Sequence, residues 1–171
     1  FCIVSGFARG IDSLAHKTVQ KFNGATMAAL GNGIDICYPP ENKKLRDQLM
    51  ESGAIISEYL PGTKPDAINF SKRNRIISGL SKGILVIEAG KKSGAVITAM
   101  NALEQNREVF ALPGPANSKQ SEGTNRLIQQ GAKLVMNAED ILSEFQLRTP
   151  PVQVELMPEL SSAEKEVYQL L

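Results

Sequence analysis

Short apolar runs alternate strictly with longer stretches of helical periodicity along this chain, and few architectures accommodate that order. The apolar runs at residues 2–4, 26–30, 54–57, 84–88, 109–112 and 133–136 are β-branched or continuously apolar, as strands covered on both faces are. Helical patterns occupy residues 12–22, 42–51, 71–80, 95–106, 124–130 and 138–145. Gly24, Gly53, Gly83 and Gly131 each stand before a strand, where helix-ending and turn residues belong. The pattern predicts an α/β fold, a mostly parallel sheet with helices on both faces. Ligands of such folds sit beyond the carboxyl ends of the strands. Functional groups are therefore expected at residues 5–10, 31–35, 58–75, 88–94 and 113–115.

The alternation stops at Phe145, so residues 1–145 are expected to form one core domain. A length of 171 residues with 42% hydrophobic content suits that core plus a short appendage. Residues 146–160 hold Pro150, Pro151 and Pro158 and predict a linker. Ser161 or Ser162 can cap a new helix with Glu164 and Glu166 after it, so residues 161–171 predict the start of a further small domain. The chain opens on Phe1, directly in a strand-like run, as a fragment of a longer protein would.

Net charge is only +1, so any nucleic-acid site must come from local clustering. Aromatic content of 5% without tryptophan argues against a broad base-stacking platform. Cys2 and Cys37 lie far apart, which fits reduced thiols in a cytoplasmic protein rather than a disulfide framework or zinc knuckle. No apolar run reaches membrane-spanning length, and no signal-peptide pattern is present.

The sharpest local signal is Phe70-Ser71-Lys72-Arg73-Asn74-Arg75. With Ser71 as N-cap, Lys72, Arg73 and Arg75 fall in a first helical turn. That position prefers acids, and an anion would resolve the conflict. Ile76, Ile77 and Leu80 define a buried stripe whose azimuth Arg73 shares, while Lys72 and Arg75 share a flank. Arg73 is thus expected to aim into the strand-end crevice. The competing reading is a solvated basic turn paired with Glu58 or Asp66.

Ser5-Gly6-Phe7-Ala8-Arg9-Gly10-Ile11-Asp12 links the first strand to a helix. Its small residues would let backbone approach a phosphate, with Arg9 as a direct contact; a tightly packed turn is the alternative. It is not a dinucleotide fingerprint, because the glycines are spaced G-x-x-x-G and Leu30 is followed by Gly31 and Asn32 rather than an acidic ribose ligand. Ser93-Gly94 opens another helix, with Val96, Ala99, Met100 and Leu103 as its expected core stripe and Thr98 facing away. Either simple capping or phosphate docking would explain it. Gly90-Lys91-Lys92-Ser93 is no P-loop, since Leu85 and Lys92 stand where glycine and Ser/Thr are required. Gly31-Asn32-Gly33 and Pro113-Gly114-Pro115 are strand-end loops of the kind that form turns. His16 falls off the Leu14/Ala15/Val19/Phe22 face and is expected to be structural. Glu88 has no partnered nucleophile, and no metal-ligand cluster or cofactor motif is present.

In order and spacing these segments resemble the DNA-processing protein A (DprA/Smf) family. The matching stretches are Ser5 through Asp12 with His16, Gly31-Asn-Gly-Ile-Asp-Ile-Cys-Tyr-Pro39, and Ser57-Glu-Tyr59. They continue with Phe70-Ser-Lys-Arg-Asn-Arg-Ile-Ile77, Leu80-Ser81, Glu88-Ala89, Ser93-Gly94 and Thr98-Ala99. Pro113-Gly114, Gly123-Thr-Asn125 and Leu127-Ile128 complete them. The resemblance implies an extended Rossmann-like domain that binds single-stranded DNA. It also implies homodimers that bring the RecA recombinase onto incoming DNA during natural transformation, with no cofactor and no enzymatic turnover. Carried over, the DNA site comprises Ser5, Gly6, Arg9, Gly10, Gly31, Phe70, Lys72, Arg73, Asn74, Arg75, Ser93 and Gly94. Arg9 and the turn at Lys72 to Arg75 would be its basic contacts, and Phe70 a packing or base-contacting aromatic.

The family's first strand, its phosphate-contacting turn and its helical N-terminal domain would precede Phe1. Residues 161–171 would begin its winged-helix domain. The alternatives are a nucleotide sensor and a phosphoribohydrolase of the lysine-decarboxylase-like (LOG) family. The second requires a Pro-Gly-Gly-x-Gly-Thr loop, from which residues 89–94 and Pro113-Gly114-Pro115 both depart.

Overall fold

The computed structural model describes residues 1–147. The chain divides into two units, Phe1–Met136 and Asn137–Leu171. In the first, β1 (Cys2–Ser5), α1 (Ile11–Lys21), β2 (Ala25–Leu30), a 3-10 turn (Pro40–Asn42), α2 (Lys43–Ser52) and β3 (Ala54–Ser57) come in that order. They are followed by α3 (Ala67–Leu80), β4 (Gly83–Val86), α4 (Gly94–Glu104), β5 (Glu108–Ala111), α5 (Glu122–Gln129) and β6 (Lys133–Leu134). The described part of the second unit holds α6 (Ala138–Glu144), started by a capping box in which Asn137 and Asp140 satisfy each other's backbone N–H. Most of the expected linker over 146–160, and the helix start at Ser161 or Ser162, lie outside the described residues.

Every strand pair is parallel, as the alternation predicts, but the ladder comes in two blocks, β1-β2-β3 and β4-β5-β6. Among the described residues, β1 and β4 each have a hydrogen-bonded neighbour on one side only.

The apolar run of β2 is continuous because both of its faces are covered. In β2, Ala28 and Leu30 pack with Phe7, Leu45 and Leu49 in one core. Ala29, on the opposite face by the two-residue period of a strand, packs with Ile77 of α3 in the other. That second core continues through Ile84, Val86, Ala99, Val109 and Leu127 of the β4–α5 segment.

Two helix faces differ from the periodicity reading. In α1 the buried residues are Ser13 and His16, while Leu14 and Phe22 of the expected apolar stripe are exposed. Specific hydrogen bonds override the apolar pattern here: Asn42 Nδ2 donates to Ser13 Oγ at 2.7 Å, and His16 Nδ1 meets Thr26 Oγ1 at 2.6 Å. In α4, Thr98 turns inward with Ala99 and Ala102, and Met100 and Leu103 are exposed. Thr98 can be buried because its hydroxyl donates to the Gly94 carbonyl one turn earlier, at 3.1 Å. The left-handed residue after α1 is Asn23, one place before Gly24, whereas Gly131 takes that role itself after α5.

Candidate nucleic-acid interface

The interface is organised by α3, and α3 starts earlier than expected. Asp66, not Ser71, is its N-cap: the carboxylate accepts the Ile68 N–H at 2.8 Å, and Ser71 Oγ turns back to the Ala67 carbonyl. Lys72, Arg73 and Arg75 therefore lie beyond the first turn, where the partial charge of the helix end has faded. The signal that locates this start is Pro65-Asp66, an acid after a residue that cannot sit inside a helix.

Arg73 lies on the azimuth read from the sequence, but it is buried, 5% exposed, rather than open to the crevice. Its Nη1 donates to the Gly6 carbonyl at 2.7 Å and to the Ala29 carbonyl, and its Nε reaches Asn74 Oδ1 at 3.3 Å. One guanidinium thus ties the turn after β1 to the end of β2. Burial pulls its pKa down, opposed by the negative charge of Asp12. A guanidinium nonetheless stays protonated, so the charge is held by carbonyl dipoles. Asn74, also buried, donates Nδ2 to the Gly94 carbonyl at 3.2 Å, which ties the start of α4 to the same helix.

The loop after β1 is built to receive this clamp. The Asp12 carboxylate accepts the N–H groups of Gly6 (3.0 Å) and Ala8 (3.1 Å), folding the chain back onto α1. A side chain on Gly6 would put its Cβ 2.6 Å from Arg73 Nη2, so this glycine makes room for the guanidinium. Gly10 is the α1 N-cap with φ of 80°, a left-handed conformation that favours glycine. Ser5 ends β1 and is half-buried.

Gly31 serves Phe70 in the same way: a Cβ there would lie 2.5 Å from Phe70 Cδ1. Phe70 stacks on Tyr38, with centroids 5.6 Å apart and planes at 19°. The Arg9 guanidinium sits 5.8 Å from the Tyr38 ring, and that of Arg73 5.8 Å from the Phe70 ring. Arg9, Tyr38, Phe70 and Arg73 thus form a chain of contacts alternating from cation through two rings to cation.

The remaining candidates stand apart. Arg9 is exposed, with Nε 2.5 Å from Glu41 Oε1. That hydrogen bond raises the arginine's pKa and lowers the carboxyl's. Arg75 is exposed and paired with Glu58 at 2.5 and 2.6 Å, as the competing reading of the basic turn has it. Lys72 points to solvent beside it. Ser93 caps α4 through the Ala95 N–H at 3.2 Å.

The structure therefore gathers Gly6, Gly31, Phe70, Arg73, Asn74 and Gly94 around α3 and links Arg9 to them through Tyr38. Lys72 and Arg75 are left on the outer side. Tyr38, Asp12 and Ala29 complete the arrangement without having been singled out. Asp12 in the first turn after Gly10 carried a readable signal; the other two act through contacts remote in sequence. At the far strand ends, Asn125 brackets Gly114 with hydrogen bonds to its N–H (3.1 Å) and carbonyl (2.9 Å). Among the described residues, no group of His, Cys, Asp and Glu is placed to hold a metal ion.

Fold and site together define a Rossmann-like α/β protein whose strand-end loops are gathered under a single buried arginine. The chain belongs to the DNA recombination-mediator protein A family, whose model matches residues 1–146. It is 52% identical over 145 residues to Protein Smf of Escherichia coli K12, covering 84% of this chain and 39% of that protein. To the DNA processing protein DprA of Streptococcus pneumoniae R6 it is 46% identical over 144 residues, covering 84% and 51%.

The X-ray structure of DprA from S. pneumoniae superposes with a TM-score of 0.80 at 44% identity, over 86% of this chain and 52% of that one. DprA of Helicobacter pylori, whose structure was reported for its unique single-stranded DNA binding mode, superposes with a TM-score of 0.76 at 30% identity. That match covers 85% of this chain and 66% of the other. The chain thus spans about half or less of the length of these two curated relatives.

Proposed function

We propose that this chain binds single-stranded DNA through its phosphate backbone, with little sequence preference, as the core of a protein that protects incoming DNA and loads RecA during natural transformation. The observation that carries the reading is the convergence of the loops after β1, β2 and β4 on α3. Arg73, Asn74 and Phe70 hold those loops in place, Lys72 is exposed on the outer side of α3, and Arg75 and Arg9 are exposed in ion pairs with Glu58 and Glu41. Preorganised backbone near exposed cations is suited to a phosphate chain, and phosphate contacts carry no sequence information.

The family membership and the reported DNA-binding mode of the H. pylori relative support the polymer. A homodimer in the cytoplasm, acting by binding rather than turnover, completes the reading. The single histidine is buried, which removes the commonest general base from the surface. Among the described residues no helix is long and apolar enough to cross a membrane.

The test is fluorescence anisotropy with single-stranded and duplex DNA across a salt series. Single strands should bind tighter. Lys72→Ala should weaken all single-stranded sequences alike and lower the salt slope by about 0.7. Equal affinity for duplex, or a Lys72→Ala variant indistinguishable from wild type at every salt concentration, would sink the assignment.

A further inference from the structure

The outward face of α1 is unlike that of a helix that only covers a sheet. Leu14 and Phe22 are exposed, Phe22 by 75%, with Lys17 and Lys21 in solvent beside them. Two concavities run along this helix. One of about 380 Å³ is lined by Arg9, Ser13, Leu14, Lys17 and Glu41 among others. The second, of about 350 Å³, is lined by Lys17, Gln20, Lys21 and Gln48. Both include Lys17, so together they form one trough along α1, beside the chain of α2.

Its charge is lopsided. Arg9, Lys17 and Lys21 face one carboxylate, Glu41, and that carboxylate is held by Arg9. No acid lines the second concavity. Of its lining residues, Arg9 also lies against the Tyr38 ring, and Lys21 Nζ lies 5.9 Å from the ring of Phe22. Lys17 and Lys21 are one helical turn apart, about 6 Å along the axis. That is comparable to the spacing of successive phosphates in an extended strand.

The geometry points to a second nucleic-acid contact surface: single-stranded DNA leaving the strand-end site runs along α1, its phosphates against Lys17 and Lys21 and a base against Phe22. Lysines spaced by one helical turn, with the exposed Phe22 ring beside Lys21, match a polyanion that carries flat faces. The core of a protein–protein interface is instead depleted in charged residues, lysine above all. This inference rests on the proposed reading of the strand-end site.

The test uses labelled oligothymidylates of about 6 and about 20 nucleotides with the full chain. Wild type should bind the longer strand more tightly. Lys17→Ala/Lys21→Ala should leave the short strand unaffected, weaken the long one on the order of tenfold at moderate salt and lower its salt slope by about 1.4. Lys17→Arg/Lys21→Arg should keep both, and Phe22→Ala should lower long-strand affinity without changing the slope, because stacking releases no counterions.

Unchanged long-strand affinity and slope in the double alanine variant would overturn the trough. Failure of wild type to bind either length would overturn the strand-end reading instead. An acidic peptide that depends on the two lysines as strongly as the long strand does would give the trough to a protein partner and overturn its assignment to DNA.

Discussion

His16 shows how one side chain records its surroundings. Thr26 Oγ1 donates its proton to the Ile3 carbonyl at 2.9 Å, so it can only accept from His16, which fixes the Nδ1–H tautomer. Nε2 is left buried with no hydrogen-bond partner, near the ring of Phe7. Burial lowers the imidazole pKa, with Asp12 opposing. In the unfolded chain the group titrates near about 6.5. Below that value the unfolded state binds more protons than the folded one. Stability is therefore complete above about pH 7 and falls as pH drops through 6.5 towards the folded pKa. The urea midpoint of wild type should decline between pH 7 and pH 5 more than that of His16→Leu. Parallel declines would mean that the histidine is not held neutral. The sequence marked His16 as structural but placed it off the buried face, because its polar partners, Thr26 above all, lie on another element.

At the scale of elements, the strands were legible and the start of α3 was not. A strand buried on both faces must be apolar throughout, so β2 and β3 announce themselves. Ser71, next to the basic run, was read as the start of α3, whereas the cap is Asp66, five residues earlier. The azimuth of Arg73 was readable from Ile77, one turn on, but its acceptor Gly6 lies 67 residues away and cannot be seen from local pattern. The consequence is measurable. Arg73→Ala leaves buried carbonyls unpaired and opens space between α3 and two strand ends, at a cost of about 2–4 kcal/mol. Arg73→Lys should recover little of that, because an ammonium lacks the guanidinium's fork. Chemical denaturation of the two variants tests this. A variant of full stability that had lost DNA affinity would make Arg73 a ligand contact rather than a clamp.

For the molecule as a whole, parallel pairing and coverage of β2 on both faces follow from the alternation of runs, and the family from the order of the motifs. The division of the ladder was not legible, because which strands become neighbours depends on how the helices cross, and apolar content does not encode it. The register of β4 has a consequence for substitution. Val86 is 2% exposed and Leu85, the residue before it, is 39% exposed, because successive strand side chains face opposite ways. Leu85→Lys should therefore leave the melting temperature nearly unchanged, whereas Val86→Lys should lower it steeply.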